Sequence, residues 1–375
     1  MINSHKFIKA LKSSNIKLVT GVPDSLLKDL HKHLEKIFKT NHVISTNEGS
    51  AVGLAIGSYL STKQPAVVYF QNSGLGNIIN PISSLADNKV YGIPMILLIG
   101  CRGELKNKKQ VKDEPQHKKQ GEITLNQLKL LKIPYKIISQ KTKNINQIIS
   151  KIKKKTILIN NPVAIVIRKN TFKSENLRKK NNINLNSREK IIKNILLNSP
   201  SKSIFVTTTG MISREFYEIK KKYSKLKQKY FLVIGGMGHA NQISAGIAKF
   251  TKNYKIICLD GDGSILMHLG SLALNQNIRN LCHIILDNSS HDSVGGQPTV
   301  SKKINMLMLG KSLGYKYVKE IKEYKLNENL IKKFTNLKQS SMTIIKCSKG
   351  NRMNLGRPKE SPKILKNNFF ESLDE

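Results

Sequence analysis

The chain is 375 residues long, room for two or three domains at roughly 150 residues each. It carries 64 Lys and Arg against 24 Asp and Glu, a formal charge of +40, yet 39% of its residues are hydrophobic. That apolar share excludes a disordered basic tail and provides for sizeable cores.

In chain order, KLVTGV (17–22), HVIST (42–46), AVVYF (66–70), MILLIG (95–100), YKIIS (135–139) and VAIVI (163–167) read as strands, with helix-length stretches between most of them. Residues 169–190 are polar, charged and almost free of aliphatic side chains, which places a linker at 171–190. A second series follows: IFVTT (204–208), FLVIG (231–235), KIICLD (255–260), HIILD (283–287), YKYV (315–318) and MTIIKC (342–347). Apolar strands alternating with helices imply mostly parallel sheets covered on both faces. The expected fold class is therefore α/β, with two similar modules at 1–170 and 191–375, the second ending in a tail.

The halves echo each other. TNEGSAVGLAIGSYL (46–60) leads through AVVYF into the loop QNSGLGN (71–77), and GGMGHANQISAGIAKF (235–250) leads through KIICLD into GDGSILM (261–267). Glu48 to Asn72 is 24 residues and Met237 to Asp262 is 25. Each half repeats strand, helix, strand, Gly-rich loop, helix, as an old duplication would leave it. The loops then lie at the carboxyl ends of parallel strands, where open α/β sheets bind ligands.

The excess charge is Lys, 56 residues against 8 Arg, alongside abundant Asn and Ile and no Trp. This bias reads as drift of an AT-rich coding sequence, since a phosphate-reading surface draws on the bidentate guanidinium fork. No specific nucleic-acid partner is expected, and a basic nucleic-acid-binding protein on an enzyme-like fold is the remote alternative. Cys101, Cys258, Cys282 and Cys347 form no CxxC pair and no metal-ligand spacing, as reduced buried thiols of a cytoplasmic protein would. The opening MINSHKFIKALKSSNIKLVTG lacks an apolar export core, and no apolar run approaches about 18 residues, so neither a standard export signal nor a membrane span is expected.

The chemistry concentrates in Gly261-Asp262-Gly263-Ser264, directly after KIICLD and before a helical stretch. Its glycines let backbone amides approach an anion. A carboxylate beside a phosphate is repulsive unless a cation lies between them, so Asp262 reads as a ligand to a divalent metal. Asn288, 26 residues on and after the strand HIILD, supplies a second oxygen. Two side chains, a carbonyl, water and phosphate oxygens would complete the shell of Mg²⁺.

With Glu48 in TNEGSAVGLAIG, this pattern resembles the thiamine-diphosphate-dependent decarboxylases. The likeness runs through GVPDSLL (21–27), FQNSGLGNIINPISSL (70–85), CRGELKNKKQVKDEPQHKKQG (101–121), GGMGHANQISAGIA (235–248), LDNSSHDSVGGQPTV (286–300) and NRMNLGRP (351–358). It is strongest toward the branch whose 2-oxo acid substrate is phosphonopyruvate, with sulfopyruvate or another 2-oxo acid as the alternative. The resemblance implies two α/β modules, one binding the cofactor's pyrimidine and one its diphosphate, with no central third domain. It also implies thiamine diphosphate and Mg²⁺ as cofactors, and homo-oligomers whose active sites form between subunits.

Roles follow by matching positions. Glu48 would hydrogen-bond the pyrimidine, Met237 would force the bent cofactor shape, and the Gly235 carbonyl would orient the amino group. Asp262, Asn288 and the Ser290 carbonyl would hold Mg²⁺. Gly261, Gly263, Ser264, Thr208, Thr209 and Gly210 would meet the diphosphate. Asp24 and His117 resemble the proton-transfer positions of related decarboxylases, and Arg102, Lys112, His291 and Ser293 are candidates for the phosphonate. Ser289 and Ser290 stand where relatives often have Gly and a small residue. Gly295-Gly296 would let the loop 289–299 bend over a ligand.

Overall fold

The computed structural model describes residues 1–106, 109–173 and 187–374. The chain divides into two compact units, Met1–Arg178 and Lys179–Glu375. In the first, the strands β1 (Val19–Gly21), β2 (His42–Ile44), β3 (Ala66–Gln71), β4 (Met95–Gly100), β5 (Tyr135–Ile138) and β6 (Val163–Ile167) form one parallel sheet in the order β2-β1-β3-β4-β6-β5. The second unit's strands are β7 (Ser203–Thr207), β8 (Lys229–Leu232), β9 (Lys255–Gly261), β10 (Leu281–Asp287), β11 (Tyr317–Lys322) and β12 (Ser341–Lys346), ordered β8-β7-β9-β10-β12-β11. Counted within each unit, both sheets run 2-1-3-4-6-5. The duplication read from loop spacing is thus a duplication of topology, and every apolar run in both predicted series overlaps a strand.

These strands form because both faces of each sheet are covered. In β3, Val67 and Tyr69 enter one core with Phe7, Leu11 and Leu34, while Ala66, Val68 and Phe70 enter the other with Ala51, Val52 and Ile78. The same alternation in β9 sends Ile257 and Leu259 to one side and Ile256 and Cys258 to the other. Fully burying one such aliphatic or aromatic side chain stabilises the fold by roughly 1.5–3 kcal/mol.

The first unit has α1 (Ser4–Ser13), α2 (Lys28–Phe38), α3 (Glu48–Thr62), α4 (Leu75–Pro81), α5 (Pro115–Leu130) and α6 (Ile145–Ile159), of which α2 to α5 follow the first four strands in turn and matter for the site. The second unit has α7 (Ser187–Asn198), α8 (Met211–Lys222), α9 (Ala240–Phe250), α10 (Asp262–Ile265), α11 (Met306–Ser312), α12 (Glu328–Thr335) and α13 (Pro362–Asp374). The chain's Asn bias is put to use at their starts. Asn3, Asn47, Asn305 and Asn327 each accept the amide three residues on, from Lys6, Ser50, Met308 and Leu330. Such caps satisfy amides that a first helical turn leaves open.

Most of the predicted linker, residues 174–186, lies outside the described residues. Both of its edges are structured, which corrects the 171–190 boundary. Thr171 and Phe172 are buried, with Ile2 donating its amide to the Thr171 carbonyl. Residues 187–190 open α7, where Arg188 and Glu189 are buried in ion pairs. Charged residues read as solvated are here paired across long stretches of chain, which composition does not reveal. None of the described helices is long and apolar enough to cross a membrane.

Candidate active site

In the first unit the candidate residues follow the carboxyl ends of β1 to β4. Glu48 opens α3 behind the Asn47 cap and is 5% exposed. Its Oε2 accepts the Asn77 side-chain amide at 2.7 Å, and burial raises its pKa above the ordinary carboxylate value. The turn after β3 sits directly against it: a Cβ on Gly74 would stand 2.5 Å from Glu48 Oε1. Asn72 begins the same turn, fully buried. Its side chain accepts the Arg102 amide at 3.1 Å and donates to the Arg102 carbonyl at 2.9 Å. One turn therefore positions both Glu48 and Arg102.

Around Arg102 the structure gathers Asp24, Asp113 and His117. Arg102 donates through Nε and Nη2 to the two oxygens of Asp113, at 2.9 and 2.5 Å, and through Nη1 to Ser25 Oγ at 2.9 Å. The fork that the sequence assigned to a substrate anion is thus largely committed to a carboxylate of the same unit. The sequence reading overlooked Asp113 because it sits in a Lys-rich loop. Its signal was the four-residue spacing to His117, whose Nδ1 lies 3.0 Å from Asp113 Oδ1. Lys112 is exposed.

Asp24 is fully buried, with Oδ2 accepting the Leu26 amide and Oδ1 without a hydrogen-bond partner. Burial pushes its pKa up to about 6. A Cβ on Gly100 would overlap Asp24 Oδ2, so the end of β4 must be glycine for the acid to fit. A carboxyl group that changes charge near neutrality is suited to proton transfer.

The second unit repeats the plan with different chemistry. After β7, Thr208 Oγ1 meets Ser264 Oγ at 2.9 Å, and Gly210 caps α8 at a φ of +102° that side chains rarely adopt. After β8, Gly235 and Met237 are half-buried, and Met237 lies between Gly236 at φ +61° and Gly238 at φ +94°. The Gly238 amide donates to Ser264 Oγ at 3.1 Å, tying this turn to the loop after β9.

β9 and β10 are adjacent, with Gly261 opposite Leu286, so Asp262 and Asn288 follow neighbouring strand ends. Asp262 is buried and accepts from Thr299 Oγ1. Burial, with Asp287 nearby, pushes its pKa up to about 6. Asn288 donates its Nδ2 to Asp292 at 2.6 Å, which turns Oδ1 toward the Ser290 amide at 3.0 Å. Across the short hairpin, Ser290 faces Pro298, which has no N–H to give, and Ser290 Oγ and Gln297 Oε1 are buried without partners. Ser289 has a φ of +53°, in the left-handed region that favours glycine. His291 packs where a Cβ on Gly263 would meet its ring at 2.9 Å, and burial holds its pKa down at about 4. Ser293 is exposed and would be 3.6 Å from a Cβ on Gly210.

These residues fit the expected groups. A buried carboxylate next to a second acid, with an amide oxygen and orphaned buried oxygens nearby, is a hard-oxygen donor set suited to Mg²⁺. The glycines at 210, 236 and 261 leave backbone open to a diphosphate, whereas Gly238 and Gly263 are packed against His268 and His291.

Two family models match the chain, the N-terminal thiamine pyrophosphate binding domain over residues 3–130 and the C-terminal thiamine pyrophosphate binding domain over residues 206–347. The chain belongs to the thiamine pyrophosphate enzymes. Phosphonopyruvate decarboxylase of Streptomyces viridochromogenes is 29% identical over 336 residues, 85% of this chain and 81% of that protein. The beta subunit of sulfopyruvate decarboxylase from Methanocaldococcus jannaschii is 39% identical over 127 residues, 33% of this chain and 64% of that subunit. The alpha subunit from the same organism is 42% identical over 106 residues, 28% of this chain and 61% of that subunit. With the two binding domains in place, the chain is a thiamine-diphosphate-dependent decarboxylase of 2-oxo acids, a carboxy-lyase.

Proposed function

We propose that the chain decarboxylates phosphonopyruvate to phosphonoacetaldehyde and CO₂ as a step of phosphonate biosynthesis, with Mg²⁺ anchoring the cofactor. The observation that carries the substrate is the similarity to phosphonopyruvate decarboxylases along 85% of the chain. When bound, thiamine diphosphate supplies a nucleophilic carbon and an electron sink for the bond to the leaving carboxylate. Asp262, Asn288 and the Ser290 carbonyl hold the metal. The amides of Gly263 and Ser264, with Gly261, Thr208, Thr209 and Gly210, meet the diphosphate.

Glu48 holds a proton toward the pyrimidine ring, and its raised pKa favours sharing that proton rather than releasing it to water. Met237 and the Gly235 carbonyl orient the ring. Asp24 and His117 move protons at the substrate carbon. For the phosphonate, Lys112 offers a point charge, His291 and Ser293 neutral hydrogen bonds, and Arg102 the N–H groups that Asp113 and Ser25 leave over. The chain acts as a homo-oligomer, the first unit of one copy completing a site with the second unit of another.

The test measures CO₂ and aldehyde formation from phosphonopyruvate and from sulfopyruvate, with and without thiamine diphosphate and Mg²⁺. Preference for phosphonopyruvate with absolute cofactor dependence is expected. Faster turnover of sulfopyruvate would move the chain to the activity named for its shorter-matching relatives.

A further inference from the structure

Asp113 is the most heavily engaged carboxylate of the first unit. Its side chain is 8% exposed and accepts five hydrogen bonds: from Arg102 Nε and Nη2, from the amides of Gly103 and Glu114 at 2.8 Å each, and from His117 Nδ1 at 3.0 Å. Backbone packing holds this arrangement in place. Gly103 has a φ of +64°, a Cβ on it would overlap the His117 carbonyl, and a Cβ on Gly121 would overlap the Gly103 carbonyl. The first turns of α5 thus press directly on the loop that carries Arg102.

We propose that Asp113 is the positioning residue of this site: it fixes His117 as the tautomer protonated at Nδ1, leaving Nε2 as the one ring nitrogen open to a reacting group, while balancing the charge of Arg102. An ionised carboxylate only accepts, so His117 Nδ1 must donate, and a neutral ring then has Nε2 bare. The ring is neutral because burial and Arg102 lower its pKa against the opposing pull of Asp113 and Glu114. The donors around Asp113, Arg102 above all, hold its own carboxyl well below the usual carboxylate range despite burial. Asp24 faces the same cluster through Arg102.

Asp113, Glu114 and His117 also lie close enough together to hold a metal ion. Arg102 argues against it. Its guanidinium occupies both oxygens of Asp113, so a divalent cation would find those lone pairs used and a fixed positive charge beside it.

What Nε2 then does, exchanging a proton with the substrate carbon, rests on the decarboxylase reading; the tautomer does not. The experiment records ring-nitrogen NMR of the full chain labelled with ¹⁵N-histidine, without substrate, with His117 assigned through the signal lost in His117→Gln. The wild type should show His117 protonated at Nδ1 and bare at Nε2 at neutral pH. Asp113→Asn should release it toward the Nε2-protonated form. It should also lower kcat about a hundredfold with a smaller change in KM, and shift the acid limb of the pH profile downward as Arg102 loses its partner. Asp113→Glu should recover part of the Nδ1 tautomer. An Nε2-protonated His117 in the wild type, which needs no variant to observe, overturns the proposal, as does a tautomer unmoved by Asp113→Asn. Absent turnover of phosphonopyruvate would count against the substrate reading alone.

Discussion

Gly74 and Glu48 are in such close contact that the carboxylate occupies the space a Cβ on residue 74 would need, 2.5 Å from Oε1 and 2.6 Å from Cγ. The glycine of the turn after β3 is therefore part of what aims the acid. Gly74→Ala should displace Glu48 and reduce CO₂ release by about tenfold or more, with the fold intact by circular dichroism. Glu48→Gln should retain the Asn77 contact and calorimetric binding of thiamine diphosphate, yet reduce CO₂ release by about a hundredfold or more. Wild-type rates in Gly74→Ala would show that Glu48 is not the acid that must be placed.

Asp24 gives a pH signature with a definite sign. Its carboxyl is raised from 3.8 to about 6 by burial, so the folded chain binds this proton more tightly than the unfolded one does. Between about pH 4 and 6 the folded state holds the proton and the unfolded state loses it, so this group's contribution to stability falls as pH rises through that window. Asp24→Asn should then raise the free energy of unfolding at pH 7.5 by on the order of 2 kcal/mol, with little change near pH 4, while kcat drops. Urea unfolding at the two pH values measures it. Loss of stability at pH 7.5 would mean that the ionised acid is held favourably by Arg102.

On the metal side, Asp292 decides which way Asn288 faces. One oxygen of Asp292 accepts from Asn288 Nδ2 at 2.6 Å, Arg188 Nη1 at 2.8 Å and the Gly350 amide at 2.9 Å. With its nitrogen held, Asn288 can present only oxygen to a cation. Asp292→Ala should weaken Mg²⁺ binding by roughly ten- to a hundredfold, read by calorimetry in the presence of thiamine diphosphate. Unchanged affinity would remove Asp292 from the metal site's support.

The strands were legible because each is a short, nearly unbroken apolar run, and the repeated spacing revealed the duplication. The site's outline was legible for a related reason: glycines and acids cluster immediately after strand ends. The partners were not. Arg102 stood out as a rare arginine in a lysine-rich chain, and the structure gives the reason: its fork is matched by Asp113 rather than aimed freely at a substrate. Arg188 follows the same logic, bidentate to Glu215, as does Arg352 between Glu189 and Glu218. In a chain that replaces most cations by Lys, Arg102, Arg188 and Arg352 mark places where two donors must point in fixed directions. Of their acidic partners, Asp113 has only its four-residue spacing to His117 to mark it, and nothing local marks Glu215 or Glu189 as paired rather than solvated.

The outer face of α3 leads to the last prediction. Gly53 and Gly57 have open space where a Cβ would stand, and Leu54, Leu60 and the nearby Ile79 of α4 are exposed at 44%, 67% and 42%. Apolar groups and bare backbone on the helix that begins with Glu48 form the kind of patch that a second copy covers. A charge placed there should open the assembly without touching the acid. Leu54→Glu is expected to shift sedimentation to the monomer and abolish CO₂ release, while far-UV circular dichroism stays that of the wild type. Wild-type activity should likewise fall on dilution as the assembly dissociates. A monomer with full turnover at every concentration would show that one copy completes the site by itself.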